Sequence, residues 1–318
     1  PGMADITLKP ERTAFEDELK TQFPKEKDAI SRFVDLLYAY FTEVIGVNFL
    51  NDPDVSRNKY PLIHQYAFKS AEEVLDQYFT DPILKAAISA YWGYIGLPPS
   101  RMSFTYLAML LFAYIEFKPY HIRGGSQALS NAIVNKFLSH GGTVRFNCGA
   151  KKILVENGEI KGVITEADEH IEARYVVSNA SKVTTFVELM DQEHVPPEVF
   201  KEMKGSKVAA SALVLFTGYD CTPEEIGITE GSNFIMASPD ISDRAYDKLK
   251  NAGGFPEYAL LTCYDVFDPQ FSPEGACQTA LVTGNEADYW YNIPPHQYAG
   301  EKYRCAEALL GMVEKVFP

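Results

Sequence analysis

The sequence predicts an α/β fold, α+β mixed in its distribution, and three observations predict it. Residues 8–116 carry apolar side chains at spacings of three and four, the period of amphipathic helices. Residues 117–190 run from a Gly-Gly turn through a helix into a hairpin meander. Residues 205–318 change to short β-prone runs joined by Pro- and Gly-containing connections, then return to a helical period. A mixed sheet with helices on one side is the expected product of this last part. A chain of 318 residues is long enough for more than one domain, and these stretches are the expected divisions.

In the first stretch, Glu11 to Gln22 reads as a short polar helix. Lys27 to Val44 is amphipathic, with Ile30, Phe33, Leu36, Leu37, Tyr40, Phe41 and Val44 on one face. Asn48 to Lys59 is a turn-rich loop. Ser70 and Glu73 form a capping-box pattern ahead of Ala71 to Phe79. Thr80 or Asp81 caps Pro82 to Trp92, with Pro82 near the first helical position, where its missing N–H costs nothing. The Gly96-Leu97-Pro98-Pro99 loop precedes a helix from Ser103 to Phe117. Its apolar run, Phe104 to Ile115, falls short of the ~20 residues that cross a bilayer and reads as a core helix.

In the second stretch, Gly124 and Gly125 permit a tight turn or a close approach of backbone to a ligand. Ser126 suits an N-cap, and Leu129, Ile133, Val134, Phe137 and Leu138 then share one helical face. Gly141-Gly142 supplies a left-handed stop. Thr143 to Asn147 is strand-like. Lys152 to Glu156 and Glu159 to Thr165 flank Asn157-Gly158, a type I′ hairpin signal. A turn at Ala167-Asp168 leads to Ile171 and Ala173, and Tyr175 to Val177 reads as a short buried strand. Residues 181–205 are helical and connecting. Strands are expected at Val208 to Gly218, Asn233 to Ala237, Tyr258 to Val266 and Cys277 to Gly284. Helices are expected at Asp243 to Asn251 and Gly300 to Val316, the latter burying Tyr303, Ala306, Leu309, Leu310 and Val313.

A net charge of -14 without a basic stripe argues against nucleic acid and against electrostatic docking on anionic lipid. Five cysteines, Cys148, Cys221, Cys263, Cys277 and Cys305, are dispersed without a C-x-x-C, as expected of reduced thiols in a cytoplasmic protein. No targeting segment is visible at Pro1-Gly2-Met3. The 6 histidines show no H-x-x-x-H spacing, so no metal site is expected. Ser126, Ser178 and Ser211 lack a nucleophile elbow. Asp265, Asp268, Glu286 and Asp288 suit surface turns better than paired catalytic carboxylates. Tyr289-Trp290-Tyr291 suits core better than a tunnel lining. His121, between Tyr120 and Arg123, suits a solvated loop better than a ligand contact. No Gly-x-Gly-x-x-Gly occurs anywhere in the chain.

The order Gly124, Gly125, Leu129, Gly142, Ile153, Gly162, Val163, Val176, Val177, Asn179, Ala180 resembles the middle of the flavin-binding domain in the phytoene desaturase and retinol saturase family, within the amine-oxidase-like flavoproteins. Asp268-Pro269-x-x-x-Pro273-x-Gly275 is similar to that family's turn between two substrate-domain strands. The chain departs from the pattern at Ala150, where the family has Val, and at Ala173-Arg174, where it has Ala-Asp. The resemblance implies an internal portion of an FAD-dependent oxidoreductase, lacking the N-terminal dinucleotide loop and the C-terminal flavin segment. Residues 8–116 and 205–318 would build the substrate side, and 117–190 the central part of the FAD-binding domain. Gly124, Gly125, Ala150, Ser178, Asn179 and Ala180 would lie at the cofactor, which this portion alone would hold weakly or not at all. The implied reaction is desaturation, saturation or isomerisation of C–C bonds in a hydrophobic isoprenoid or polyene, with no catalytic side chain identified. Peripheral membrane contact stays open, because polyenes partition into lipid. Two other readings also remain: an amine-oxidase-like flavoenzyme with a polar substrate, and a non-catalytic lipid-binding protein of the same fold.

Overall fold

A computed structural model describes residues 4–206, 211–243, 257–285 and 287–318. The chain forms two compact units, one of Pro1–Gly125 with Ala209–Pro318, the other of Ser126–Val208.

The first unit opens with helices α1 (Arg12–Gln22), α2 (Lys27–Val44), α3 (Pro61–Tyr66), α4 (Ala71–Tyr78), α5 (Pro82–Ile88), α6 (Trp92–Ile95) and α7 (Phe104–Phe112). The whole expected apolar face of α2 is buried, together with Ala29 and Val34. It packs on Leu75, Phe79, Phe104, Leu107 and Leu111 from α4, its C-cap and α7. Asp81 caps α5 by accepting from the Ile83 and Leu84 N–H groups. At α4 the capping box is complete: Glu73 N donates to Ser70 Oγ at 3.1 Å and Ser70 N to Glu73 Oε2 at 2.7 Å. Ser70→Ala removes one of these acceptors and is expected to cost about 1 kcal/mol, read as a lower urea midpoint at unchanged slope. The expected long helix to Phe117 leaves α-geometry at Ala113, where a π-turn spans Ala113–Phe117 and ends in Lys118 at φ 60.

The same unit contains an antiparallel sheet of order β4-β7-β6-β5: β4 (Ser211–Tyr219), β5 (Ser232–Met236), β6 (Tyr258–Cys263) and β7 (Cys277–Asn285). Residues directly opposite each other share a face. Leu215, Leu281 and Leu261 therefore line up, and pack against Leu309, Met312 and Val313. These come from α11 (Pro295–Val313), which follows the short α10 (Ala287–Tyr291). On the other face, Phe234 and Met236 join the helical core, and Tyr258 donates through its hydroxyl to the Ala90 carbonyl at 3.0 Å.

Two expectations for this end of the chain are corrected. α11 buries Cys305, Leu309, Met312 and Val313, whereas Tyr303 is 72% exposed. The stripe is turned because the sheet it covers selects the Cys305–Met312 side of a helix with apolar residues on more than one flank. Tyr289-Trp290-Tyr291 is not core: nothing in α10 is buried, and Trp290 meets Tyr289 and Tyr298 edge-on. The helix expected from Asp243 to Asn251 lies outside the described residues beyond Asp243, as do Val208 to Ala210 and Glu286.

The second unit holds α8 (Gly125–Ser139) and an antiparallel sheet β1-β2-β3: β1 (Ala150–Glu156), β2 (Glu159–Thr165) and β3 (His170–Glu172). Asn157 and Gly158, at φ 54 and 77, make the expected two-residue hairpin between β1 and β2. Asp168 turns the chain into β3 at φ 59. The helix starts at Gly125, one residue before the expected cap. Thr143 to Asn147 and Tyr175 to Val177 pair with no strand among the described residues, and Phe146, Tyr175 and Val177 are 81%, 87% and 97% exposed. Their β-propensity has no ladder to satisfy it, and the chain bends at Phe146 and Asn147 instead, with Asn147 at φ 52. Leu129, Ile133, Phe137 and Leu138 share a face of α8 as expected, but no residue of that helix is buried. No helix among the described residues is long and apolar enough to cross a membrane.

Candidate functional site

The Gly-Gly turn is built by backbone geometry that only glycine adopts without strain. Gly124 and Gly125 lie at φ 76 and 77, and Gly125 N donates to the Ile122 carbonyl at 2.8 Å. The Gly124 N–H donates to Asp268 Oδ2 at 2.9 Å, across 144 residues of sequence. The two motif segments singled out in the sequence therefore meet. That bond is the main reason the Asp268 carboxyl sits below the ordinary carboxylate range; the Gln270 N–H and the charges of His121 and Arg123 act in the same direction.

Asp265 and Asp268 are 7% and 8% exposed, a correction to their expected place as surface acids. Both are held by the turn between β6 and β7. Asp265 accepts from Ser272 N at 2.9 Å, Ser272 Oγ at 3.1 Å and Gln278 N at 2.9 Å. Asp268 donates its N–H to Tyr264 O at 2.9 Å and accepts from Phe271 N at 2.8 Å, and Gly275 closes the turn at φ 78. A sequence reading finds these residues as a turn motif. Nothing local signals that one of them reaches Gly124.

His121 lies against the same turn. Its ring is 5.1 Å from Tyr264 and 6.3 Å from Phe267 in near-parallel orientation, and 5.8 Å from Phe271 edge-on. It is thus packed among aromatic rings, not solvated as expected. Its Nε2 is buried and has no hydrogen-bond partner. Leaving such an atom unpaired costs about 1–3 kcal/mol, which a fold tolerates most readily where a ligand or ordered water completes the bond. A Cβ on Gly125 would come within 3.0 Å of the Phe271 ring, so the aromatic group also closes over the second glycine.

Within the second unit, Ser178 and Ala180 line a cavity of about 260 Å³ with Ile153, Ile160, Val176 and Lys182. Ser178 Oγ is 2.7 Å from Thr185 Oγ1, and Ala180 N donates to Ser178 Oγ at 3.3 Å. Thr185 belongs to a π-turn at Thr184–Glu188, a local widening that recurs at functional sites. The cavity is slightly below the ~300–1,000 Å³ usual for small-molecule pockets, so it suits part of a dinucleotide rather than the whole. Ala150 is exposed where β1 begins, opposite Thr165, and does not line the cavity; Asn179 is exposed beside it. The five cysteines are free, and burial with the neighbouring Cys263 pushes the Cys277 thiol up to about 12. No cluster of three or more His, Cys, Asp or Glu suited to a metal occurs among the described residues.

No family model matches the chain. Among solved structures it shares its fold with an oxidoreductase from Methanosarcina mazei, with TM-score 0.57 and 15% identity over 90% of this chain and 60% of that one. A second, the PF1083 protein of Pyrococcus furiosus, gives TM-score 0.52 and 13% identity over 80% and 57%. Among curated proteins the chain is 24% identical, over its whole length, to prolycopene isomerase 1, chloroplastic, of an Oncidium hybrid cultivar, of which it covers 54%. It is 25% identical, over 74% of its length, to all-trans-retinol 13,14-reductase of Danio rerio, of which it covers 41%. It is 24% identical, over 48% of its length, to a 4,4'-diapophytoene desaturase of a Methylomonas species. The chain spans about half the length of the first two of these relatives. The α/β mixed fold is the one this chain shares with the two solved structures. These curated relatives are in keeping with the resemblance to the phytoene desaturase and retinol saturase family.

Proposed function

We propose that this chain is part of an FAD-dependent oxidoreductase acting on C–C bonds of a hydrophobic isoprenoid or polyene, by desaturation, saturation or isomerisation. The observation that carries the reading is the match of the entire chain to a polyene isomerase, with partial matches to a retinoid reductase and a carotenoid desaturase. The residues present fit a flavin nucleotide on two counts. Gly124 places no Cβ of its own between backbone and ligand, and the turn follows an orphaned imidazole nitrogen at His121. The cavity at Ser178 and Ala180 sets the Ser178 and Thr185 hydroxyls against an apolar wall of Ile153, Ile160 and Val176.

In this reading Gly124, Gly125, Ser178, Asn179 and Ala180 hold the cofactor, and Ala150 contributes backbone only. Residues 117–190 are the central part of the FAD-binding domain, and 8–116 with 205–318 build the substrate side. FAD supplies hydride transfer when bound. The chain's residues orient it and exclude water, which suits a reaction needing few catalytic side chains. We place the protein in the cytoplasm with its thiols reduced. Its partner is a hydrophobic small molecule.

A non-catalytic second reading has one observation in its favour: the chain is 28% identical, over 72% of its length, to a Danio rerio protein named inactive all-trans-retinol 13,14-reductase. The complete gene product, purified and loaded with FAD, is expected to show a flavin absorption band in the visible blue that a polyene perturbs and an amine does not. A band perturbed by the amine alone, or no flavin uptake, overturns the proposal.

A further inference from the structure

The motif segment around Asp268 belongs by sequence to the turn between two strands of the sheet, yet its carboxylate is spent on the Gly-Gly turn. We propose that Asp268 is a positioning residue for the cofactor: it holds the Gly124-Gly125 backbone in the conformation that admits FAD. The inference rests on the flavoprotein reading above and adds to it a residue outside the nucleotide-binding stretch.

The geometry carries it in three ways. The Gly124 N–H donates to Asp268 Oδ2 at 2.9 Å. Both glycines lie at positive φ, a conformation that glycine reaches freely but that nothing in glycine itself selects; the Ile122 carbonyl fixes it locally through Gly125 N, and the Asp268 carboxylate fixes it from outside the segment through Gly124 N. Asp268 is in turn fixed from its own side. Its backbone N–H donates to Tyr264 O, its carbonyl accepts from Phe271 N, and it is 8% exposed. The acceptor is therefore preorganised and loses little freedom in making the bond. The rings of Tyr264 and Phe271 extend the same support to His121, three residues ahead of the turn. One short turn between β6 and β7 thereby sets the position of the whole segment leading into α8.

The test uses the complete gene product and FAD itself, with affinity read by quenching of flavin fluorescence. Asp268→Ala, which removes the acceptor, is expected to weaken FAD binding about tenfold while the far-ultraviolet circular dichroism stays that of the wild type. Asp268→Asn keeps an acceptor oxygen and is expected to restore affinity to within about threefold of wild type, a rescue that loss of a generic surface charge does not predict. An Asp268→Ala protein that is folded and binds FAD as tightly as wild type overturns the proposal. A second measurement needs no variant. Hydrogen exchange at the Gly124 and Gly125 amides of the wild type is expected to slow on adding FAD, and unchanged exchange at saturating FAD also overturns it. If the wild type takes up no FAD, the flavoprotein reading falls and this inference with it. If the wild type binds FAD and only the variant result fails, this inference alone falls.

Discussion

Phe33→Ala is expected to destabilise the first unit by about 3–5 kcal/mol, the range for truncating a fully buried aromatic side chain. Phe33 is 0% exposed at the centre of α2. Its ring lies edge-on to three others, with centroids 5.7 Å from Tyr78, 5.2 Å from Phe79 and 6.3 Å from Phe104. These come from α4, its C-cap and α7, so the cavity opens where three elements converge. The site cannot collapse cheaply, because each neighbouring ring is itself packed on others: Phe104 also meets Tyr40 and Tyr66. Guanidinium unfolding of wild type and variant measures the loss. A difference below about 1 kcal/mol would mean that the cluster is looser than these contacts imply.

Gly162→Ala is expected to detach β3 from β2. Gly162 sits at φ 152, and a Cβ there would lie 2.2 Å from the Ile171 carbonyl oxygen and 3.1 Å from Glu172 Cα. Those are backbone atoms of the partner strand, so no rotamer change relieves the clash. The ladder pairs Gly162 with Glu172, Val163 with Ile171 and Ile164 with His170, and it is only as long as β3 itself. Losing its first pair leaves too little to hold the rest. The expected readout is faster amide exchange at 162–164 and 170–172, with β1 and β2 still protected around their Asn157-Gly158 hairpin. Unchanged exchange in β3 would show that the strands separate slightly at little cost. The family-like glycine at this position thus has a physical reason, the close approach of a neighbouring backbone.

Where the sequence was legible, the deciding interactions are local. α2 declared itself through period alone, and every residue of the expected face is buried. The Ser70–Glu73 box and the Asn157-Gly158 hairpin follow from chemistry within four residues. What escaped depends on partners far along the chain. Tyr175 to Val177 has the composition of a buried strand, yet burial is conferred by a neighbouring strand and not by valine. The face of α11 was misjudged at Tyr303 because the sheet, not the helix, decides which flank is covered. At the candidate site, the glycine pair and the turn motif were each visible. Their contact was not, since no pattern in either segment encodes a hydrogen bond to a residue 144 positions away. The orphaned Nε2 of His121 was equally hidden, because rings from the β6–β7 turn close around it.

The insertion of Ser126–Val208 between the two halves of the first unit has a kinetic consequence. During synthesis the helices of the first 125 residues emerge well before Phe234, Met236 and Tyr258, which complete their packing. Until then part of their apolar surface waits uncovered, while the inserted unit can already close on its own short-range hairpins. Refolding is therefore expected to run in two phases, the hairpin unit first and the discontinuous unit later, and a chaperone would find its longest-lived target in the aromatic side chains at α6, Tyr91, Trp92 and Tyr94, which wait for Phe234 and Tyr258.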